Sequence, residues 1–111
     1  MKMDSYKKKS NKIQGAYAMF FTTSANDNRL KIINALRGGK LNVTELCKKI
    51  KLEQSLISHN LKMLEYHGMV FAQRKGKCRY YSVNEQTIKP LLDLIDSHMK
   101  EYCCKIIDGE R

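Results

Sequence analysis

The apolar residues of this chain change their spacing at one glycine, and that change limits the fold more than any motif does. Before Gly68 they recur at helical intervals of three and four. After it, residues 69–74 and 78–83 are β-prone runs separated only by Lys75-Gly76-Lys77, which reads as a hairpin turn. Past Asn84 the helical spacing returns. A chain of 111 residues has room for one compact domain and little else. The expected fold is therefore mainly α with a small β-hairpin.

Four helices are expected before the hairpin. Residues 1–10 read as a basic flexible tail, and residues 11–108 as the domain. Ile13, Ala16, Tyr17, Phe20 and Phe21 predict a first helix over 11–23. Asn26 or Asp27 caps a second, which carries Leu30, Ile32, Ile33 and Leu36 and stops at Gly38-Gly39. Asn42 or Thr44 opens a short third helix with Val43, Leu46, Cys47 and Ile50 on its apolar stripe. A tight connection holding Leu52 leads to a fourth, which starts near Glu53–Gln54. Its Leu56, Ile57, Leu61 and Leu64 are expected in the core, and Gly68 ends it. After the hairpin, Asn84 is the expected cap of a last helix. Pro90 lies too deep behind that cap for a first-turn position. The reading is a short turn at 85–88, then a long helix to about 107 with Ile88, Leu92, Ile95, Met99, Tyr102 and Ile106 along one stripe.

Charge supplies the partner class. Lys and Arg number 21 against 11 Asp and Glu, a net +10, which points to an anionic partner and to nucleic acid first. The hairpin concentrates this excess: Arg74, Lys75, Lys77 and Arg79 have no acid among them. Residues 84–111 hold four bases and six acids, so that end faces something other than phosphate. No apolar run reaches the length of a membrane span, and no secretory signal is visible. A cytoplasmic location is expected, with the four cysteines as thiols or ligands rather than disulfides.

Two short helices joined by a tight turn and followed by a basic hairpin form a winged helix-turn-helix. A helix of that length fits the DNA major groove, and the hairpin supplies cations to phosphates. Gln54, Ser55, Ser58, His59, Asn60 and Lys62 are the polar side chains of the fourth helix suited to hydrogen bonding there. His67 reads as a cation near the last carbonyls of that helix. Tyr80 and Tyr81 must take opposite faces, one packed inward. No nucleophile–base pair, phosphate loop or carboxylate pair can be read, so an enzyme is not expected.

The ordered set Arg29-Leu30-Lys31-Ile32, Thr44-Glu45-Leu46, Gln54-Ser55-x-x-Ser58-His59-x-Leu61-x-x-Leu64, Gly68-Met69-Val70 and Arg74-x-Gly76-x-x-x-Tyr80-Tyr81-Ser82 resembles the ArsR/SmtB family of bacterial and archaeal repressors. The likeness runs over about residues 13–105. It implies an obligate homodimer built from the first and last helices, which represses transcription at an inverted-repeat operator in double-stranded DNA until an effector binds. The interface would then use Tyr17, Phe20, Phe21, Leu92, Ile95, Met99 and Tyr102.

The resemblance also implies three places for an effector. The paired cysteines of soft-metal sensors are replaced here by Asn42 and Thr44, and Cys47 lies on the apolar stripe as a buried thiol. The last-helix site of zinc-type sensors keeps His98-x-x-Glu101, while its other half, Glu85-x-Thr87, has lost its imidazole. Asp96-Ser97-His98 copies that half's spelling eleven residues too late. Cys103-Cys104 is a vicinal thiol pair of the kind some arsenic-responsive members carry, without a third cysteine after it. Adjacent residues on a regular helix point about 100° apart, so joint chelation requires the helix to fray there. As(III) or thiol oxidation at the cysteines, and a divalent ion such as Zn(II) at Glu85, His98 and Glu101, are the effector chemistries left open. An effector-independent DNA binder or a protein-interaction winged helix is the alternative.

Overall fold

The computed structural model describes residues 3–109, with side chains placed from residue 12 onward. In chain order these residues form α1 (Met3–Ser24), α2 (Asp27–Leu36), β1 (Leu41–Asn42), α3 (Val43–Ile50), α4 (Gln54–Tyr66), β2 (Val70–Lys75), β3 (Cys78–Val83), α5 (Ile88–Tyr102) and α6 (Cys104–Ile107). None of these helices is long and apolar enough to cross a membrane.

Helix α1 starts earlier than its apolar stripe. Residues 3–10, expected as a tail, continue the helix because the lysine-rich stretch holds no proline or glycine and lysine is a good helix former. The next start is set by Asn26, whose side chain accepts the Arg29 N–H at 3.1 Å. Strand β1 was not foreseen. Its two residues, Leu41 and Asn42, pair with Tyr81 and Tyr80, a segment too short to show an alternating pattern. It completes an antiparallel sheet of order β1-β3-β2. Asn42 also caps α3: its side chain accepts the Glu45 N–H, and the Glu45 carboxylate accepts the Asn42 N–H. The α3–α4 connection turns at Lys51, which adopts a left-handed φ of 55° without being glycine.

Helix α4 buries Ile57, Leu61 and Leu64 completely. Leu56, expected beside them, is exposed instead. The inward stripe follows 57, 60, 61 and 64, so Asn60 takes the place expected of an apolar residue. The helix ends in a Schellman motif. Gly68, at φ 71°, donates its N–H to the Glu65 carbonyl, and Met69 donates to the Leu64 carbonyl. The hairpin then zips to Lys75↔Cys78, one residue beyond the expected turn, which leaves Gly76 at φ 65° as the first of two turn residues.

Asn84 organises the exit from the hairpin without capping α5 itself. Its N–H donates to the Met69 carbonyl, its Nδ2 to the Gly68 carbonyl, and its Oδ1 accepts the Gln86 and Thr87 N–H groups. Because α5 begins at Ile88, Pro90 falls in the first turn, where its missing N–H has no intrahelical partner to lose. The long last helix divides. Cys103 takes φ −126° and ψ 23°, and α6 restarts at Cys104. Tyr and Cys are weaker helix formers than the residues before them, and they mark the break.

The core gathers Ile32, Ile33 and Leu36 of α2, Leu46 of α3, the α4 stripe, and Met69, Val70, Val83 and Ile88. Arg37, just past α2, reaches Asp93 and Asp96 of α5 at 2.6 Å each. The hydrogen bonds that Arg37 donates to Asp96 and then to Asp93 raise its pKa above the ordinary value. Replacing Asn42 by Ala removes the cap of α3, and should cost about 1 kcal/mol of unfolding free energy. Urea denaturation checks this as a lower midpoint with an unchanged slope.

Candidate nucleic-acid interface

The inward stripe of α4 dictates what its outer side presents. With Ile57, Asn60, Leu61 and Leu64 facing the core, Gln54, Ser55, Ser58, His59 and Lys62 are all exposed. Ser55, Ser58, Lys62 and Tyr66 continue one stripe at helical spacing. Tyr66 is 84% exposed, with its ring edge-on to His67 at 5.3 Å. Sequence reasoning missed it, although its position eleven residues after Ser55 carried the signal. His67 sits at the C-cap of α4, as expected. No side chain caps the start of α4 at Glu53, which suits the first-turn amides to a phosphate oxygen.

Asn60 does not belong to this surface. It is 4% exposed, and its Oδ1 accepts the Arg29 Nε–H at 3.0 Å. Its Nδ2 donates to the Leu56 carbonyl at 2.9 Å. A short polar side chain on an otherwise apolar stripe is buried when a donor lies within reach.

Cross-strand register sorts the wing into two faces. Val70, Ala72 and Arg74 stand opposite Val83, Tyr81 and Arg79, while Phe71, Gln73 and Lys75 stand opposite Ser82, Tyr80 and Cys78. Tyr81 packs against the core. Tyr80 lies on the other face, with Lys40, Gln73, Lys75 and Cys78 around an open concavity. Arg79 is committed within the chain: its guanidinium meets the Glu65 carboxylate of α4 at 3.3 Å and lies 6.0 Å from the Tyr81 ring. Arg74, Lys75 and Lys77 are exposed, and none pairs with a carboxylate among the described residues. The Arg79–Glu65 contact ties the wing to α4, with Arg74 and Lys75 on opposite faces of the hairpin.

A second surface is apolar. Tyr17 and Phe21 of α1 are more than 60% exposed, as is Tyr102 of α5, and Ile95 is 41% exposed. Phe20, Leu92 and Met99, expected with them, are half-buried, and Phe20 and Leu92 already pack on the core. Ile13, one turn before Tyr17 on the same stripe, adds to this exposed surface, whereas the exposed Met19 and Leu94 lie about 160° around their helices from Tyr17 and Leu92. Between α1, α2 and α5 runs an apolar groove of about 270 Å³ with Met69 and Ile88 in its lining. Exposed apolar area of this extent marks a contact surface.

The effector candidates remain scattered within one chain. Glu85 lies in the turn before α5, while His98 and Glu101 are exposed on α5, with the His98 ring 5.2 Å from that of Tyr102. Asp96 is engaged by Arg37. Cys103 is half-buried at the α5–α6 break, and Cys104 is exposed at the start of α6. Cys47 is half-buried against the core, and Cys78 is exposed on the wing. Among the described residues no three His, Cys, Asp or Glu side chains converge as a metal site.

Comparison with known proteins adds a common pattern. The model of the bacterial regulatory proteins of the arsR family matches residues 26–71, which run from the cap of α2 into β2. The HTH-type transcriptional regulator NmtR of Mycobacterium tuberculosis is 41% identical over 69 residues, 62% of this chain. The chain spans 58% of NmtR, less than two thirds of its length. The arsenical resistance operon repressor of Bacillus subtilis is 30% identical over 89 residues, 79% of each chain. Among solved structures, M. tuberculosis Rv0081 superimposes with a TM-score of 0.78 at 28% identity, covering 86% of this chain and 96% of that one.

Proposed function

The chain belongs to the arsR family of bacterial regulatory proteins, and from that premise we propose that it is a homodimeric transcriptional repressor which binds double-stranded DNA at an inverted-repeat operator. One observation carries this reading. The Arg79–Glu65 contact joins the wing to α4, so the exposed polar side chains of that helix and the hairpin that carries Arg74, Lys75 and Lys77 are held together. Gln54, Ser55 and Ser58 sit in the first turns of α4, the part of a recognition helix that reaches base edges. Arg74, Lys75 and Lys77 follow the backbone and give affinity without sequence information. The exposed apolar residues of α1 and α5 are covered by a second copy, and a two-fold dimer reads two half-sites about 34 Å apart. Such a regulator works in the cytoplasm, where its thiols stay reduced. It carries out no catalysis.

Release from DNA is assigned to the vicinal thiols. The break at Cys103 removes the regular helical geometry that would hold Cys103 and Cys104 about 100° apart. As(III) hydroxide can exchange two hydroxides for the two thiolates, with the thiol protons leaving in two waters. The arsenical resistance operon repressor among its relatives supports this choice over Zn(II).

Three measurements test these statements. The triple variant Arg74→Ala, Lys75→Ala, Lys77→Ala removes three cations from each protomer and should flatten the slope of log affinity against log salt of the dimer by about 5. An unchanged slope would mean that the wing faces a protein partner instead. Phe21→Glu should convert the dimer to monomer in sedimentation analysis, because a charge in an apolar interface is left unpaired. As(III) should weaken operator binding by about tenfold or more, and Cys103→Ser with Cys104→Ser should abolish that response while sparing DNA binding. Release by Zn(II) and not by As(III) would move the effector site to Glu85, His98 and Glu101. Release by neither would leave an effector-independent repressor.

A further inference from the structure

Two polar or charged residues are buried among those described, Thr23 and Asn60, and both touch the same guanidinium. Arg29 donates from Nη1 to the Thr23 carbonyl in the last turn of α1 at 3.3 Å. It donates from Nε to Asn60 Oδ1 in the middle of α4 at 3.0 Å. Its own backbone N–H is held by the Asn26 cap of α2. One side chain therefore joins three helices: α1 of the apolar surface, α2 of the core, and α4 of the polar surface.

An apolar residue at position 60 would complete the stripe of Ile57, Leu61 and Leu64 without any need for a partner. Asn60 instead has both ends of its amide bonded, and no buried side-chain nitrogen or oxygen lacks a partner among the described residues. Apolar packing tolerates a helix turning by some degrees about its axis, whereas the Arg29 hydrogen bonds that run from α4 at 3.0 Å and on to α1 at 3.3 Å do not. A buried polar pair adds little net stability but can select one arrangement among several of similar energy. Ser58 and Lys62 lie two residues either side of Asn60, about 160° around the helix from it. The clamped side and the outer side are thus back to back, and any rotation about the axis swings the outer side chains.

We propose that the Arg29–Asn60 pair is the positioning element that sets the rotation of α4 relative to α1, and through it the sequence discrimination of the DNA surface. Arg29 and Asn60 touch no DNA in this arrangement; they act through Ser55, Ser58 and Lys62. The discrimination half of the statement rests on the DNA-reading function proposed above, whereas the rotation half does not.

The test uses the full-length dimer and three variants. Asn60→Leu removes the acceptor while keeping the volume. Arg29→Lys keeps the charge but cannot reach Thr23 and Asn60 together, and it serves should Asn60→Leu fail to fold. Asn60→Asp keeps an oxygen for the Arg29 Nε–H. Residual dipolar couplings of the α4 amides against those of α1 read the rotation without DNA. Anisotropy titrations give the ratio of operator to bulk-DNA affinity. Asn60→Leu and Arg29→Lys should turn α4 and lower that ratio by about tenfold or more, with bulk-DNA affinity nearly unchanged, and Asn60→Asp should restore both readings. An α4 orientation that stays as in the parent protein overturns the proposal. So does a loss of operator and bulk-DNA affinity in equal proportion, which would be a plain stability effect. If α4 turns but the parent protein never prefers any duplex, the rotation role stands and DNA reading falls.

Discussion

The turn at Gly68 fixes three directions at once. Its left-handed backbone ends α4, and the Met69 N–H closes the last turn back onto Leu64. Asn84 then holds the Gly68 and Met69 carbonyls from the far end of the hairpin, while its own carbonyl accepts the N–H groups that start α5. The exit of α4, the root of the wing and the entry of α5 share these few hydrogen bonds. Met69 and Val70 are buried beneath them, so the joint is both bonded and packed. A side chain at position 68 would have to adopt a backbone conformation that L-residues take at a cost, and the polar and apolar surfaces of the domain would lose their fixed relation.

Much of this was legible in the sequence because it is local. The change of period at Gly68, the caps offered at Asn26 and Asn42, and the polar outer side of α4 each depend on residues within one turn of each other. What was not legible depends on distance. Asn60 belongs to the core because of Arg29, 31 positions earlier, and no window on α4 holds that information. No window on the wing shows that Arg79 pairs with Glu65, 14 positions earlier. Strand β1 is two residues long and exists only because β3 accepts it. Leu56 is as apolar as its neighbours but falls outside the inward stripe, and Tyr66 was overlooked at the same helix's far end for the opposite reason. The break at Cys103 has a weak propensity signal that the continuing apolar spacing through Ile106 concealed.

The net charge also gains a structure. The lysines and arginines of residues 71–83 stand on a hairpin where only Arg79 pairs with an acid, Glu65, among the described residues. Asp93 and Asp96, which make the last helix acidic, are drawn to Arg37. Glu65, Asp93 and Asp96 therefore hold elements together within the chain, and Arg74, Lys75 and Lys77 stay exposed. The same division separates the two surfaces: one presents hydrogen-bonding groups and positive charge, and the other presents Tyr17, Phe21, Ile95 and Tyr102.

Asn42 occupies a place where two structural duties coincide. Its backbone lies opposite Tyr80 in the sheet, and its side chain closes the first turn of α3. The wing and the first helix of the helix-turn-helix are therefore mechanically continuous through a single residue, with no slack segment between them. A load applied at the hairpin tip is carried to the start of α3 rather than absorbed on the way. On the DNA-binding function proposed above, the domain would meet a duplex as one rigid tool, and a site whose groove suits α4 but whose backbone misses the wing would not be accommodated by bending one part alone.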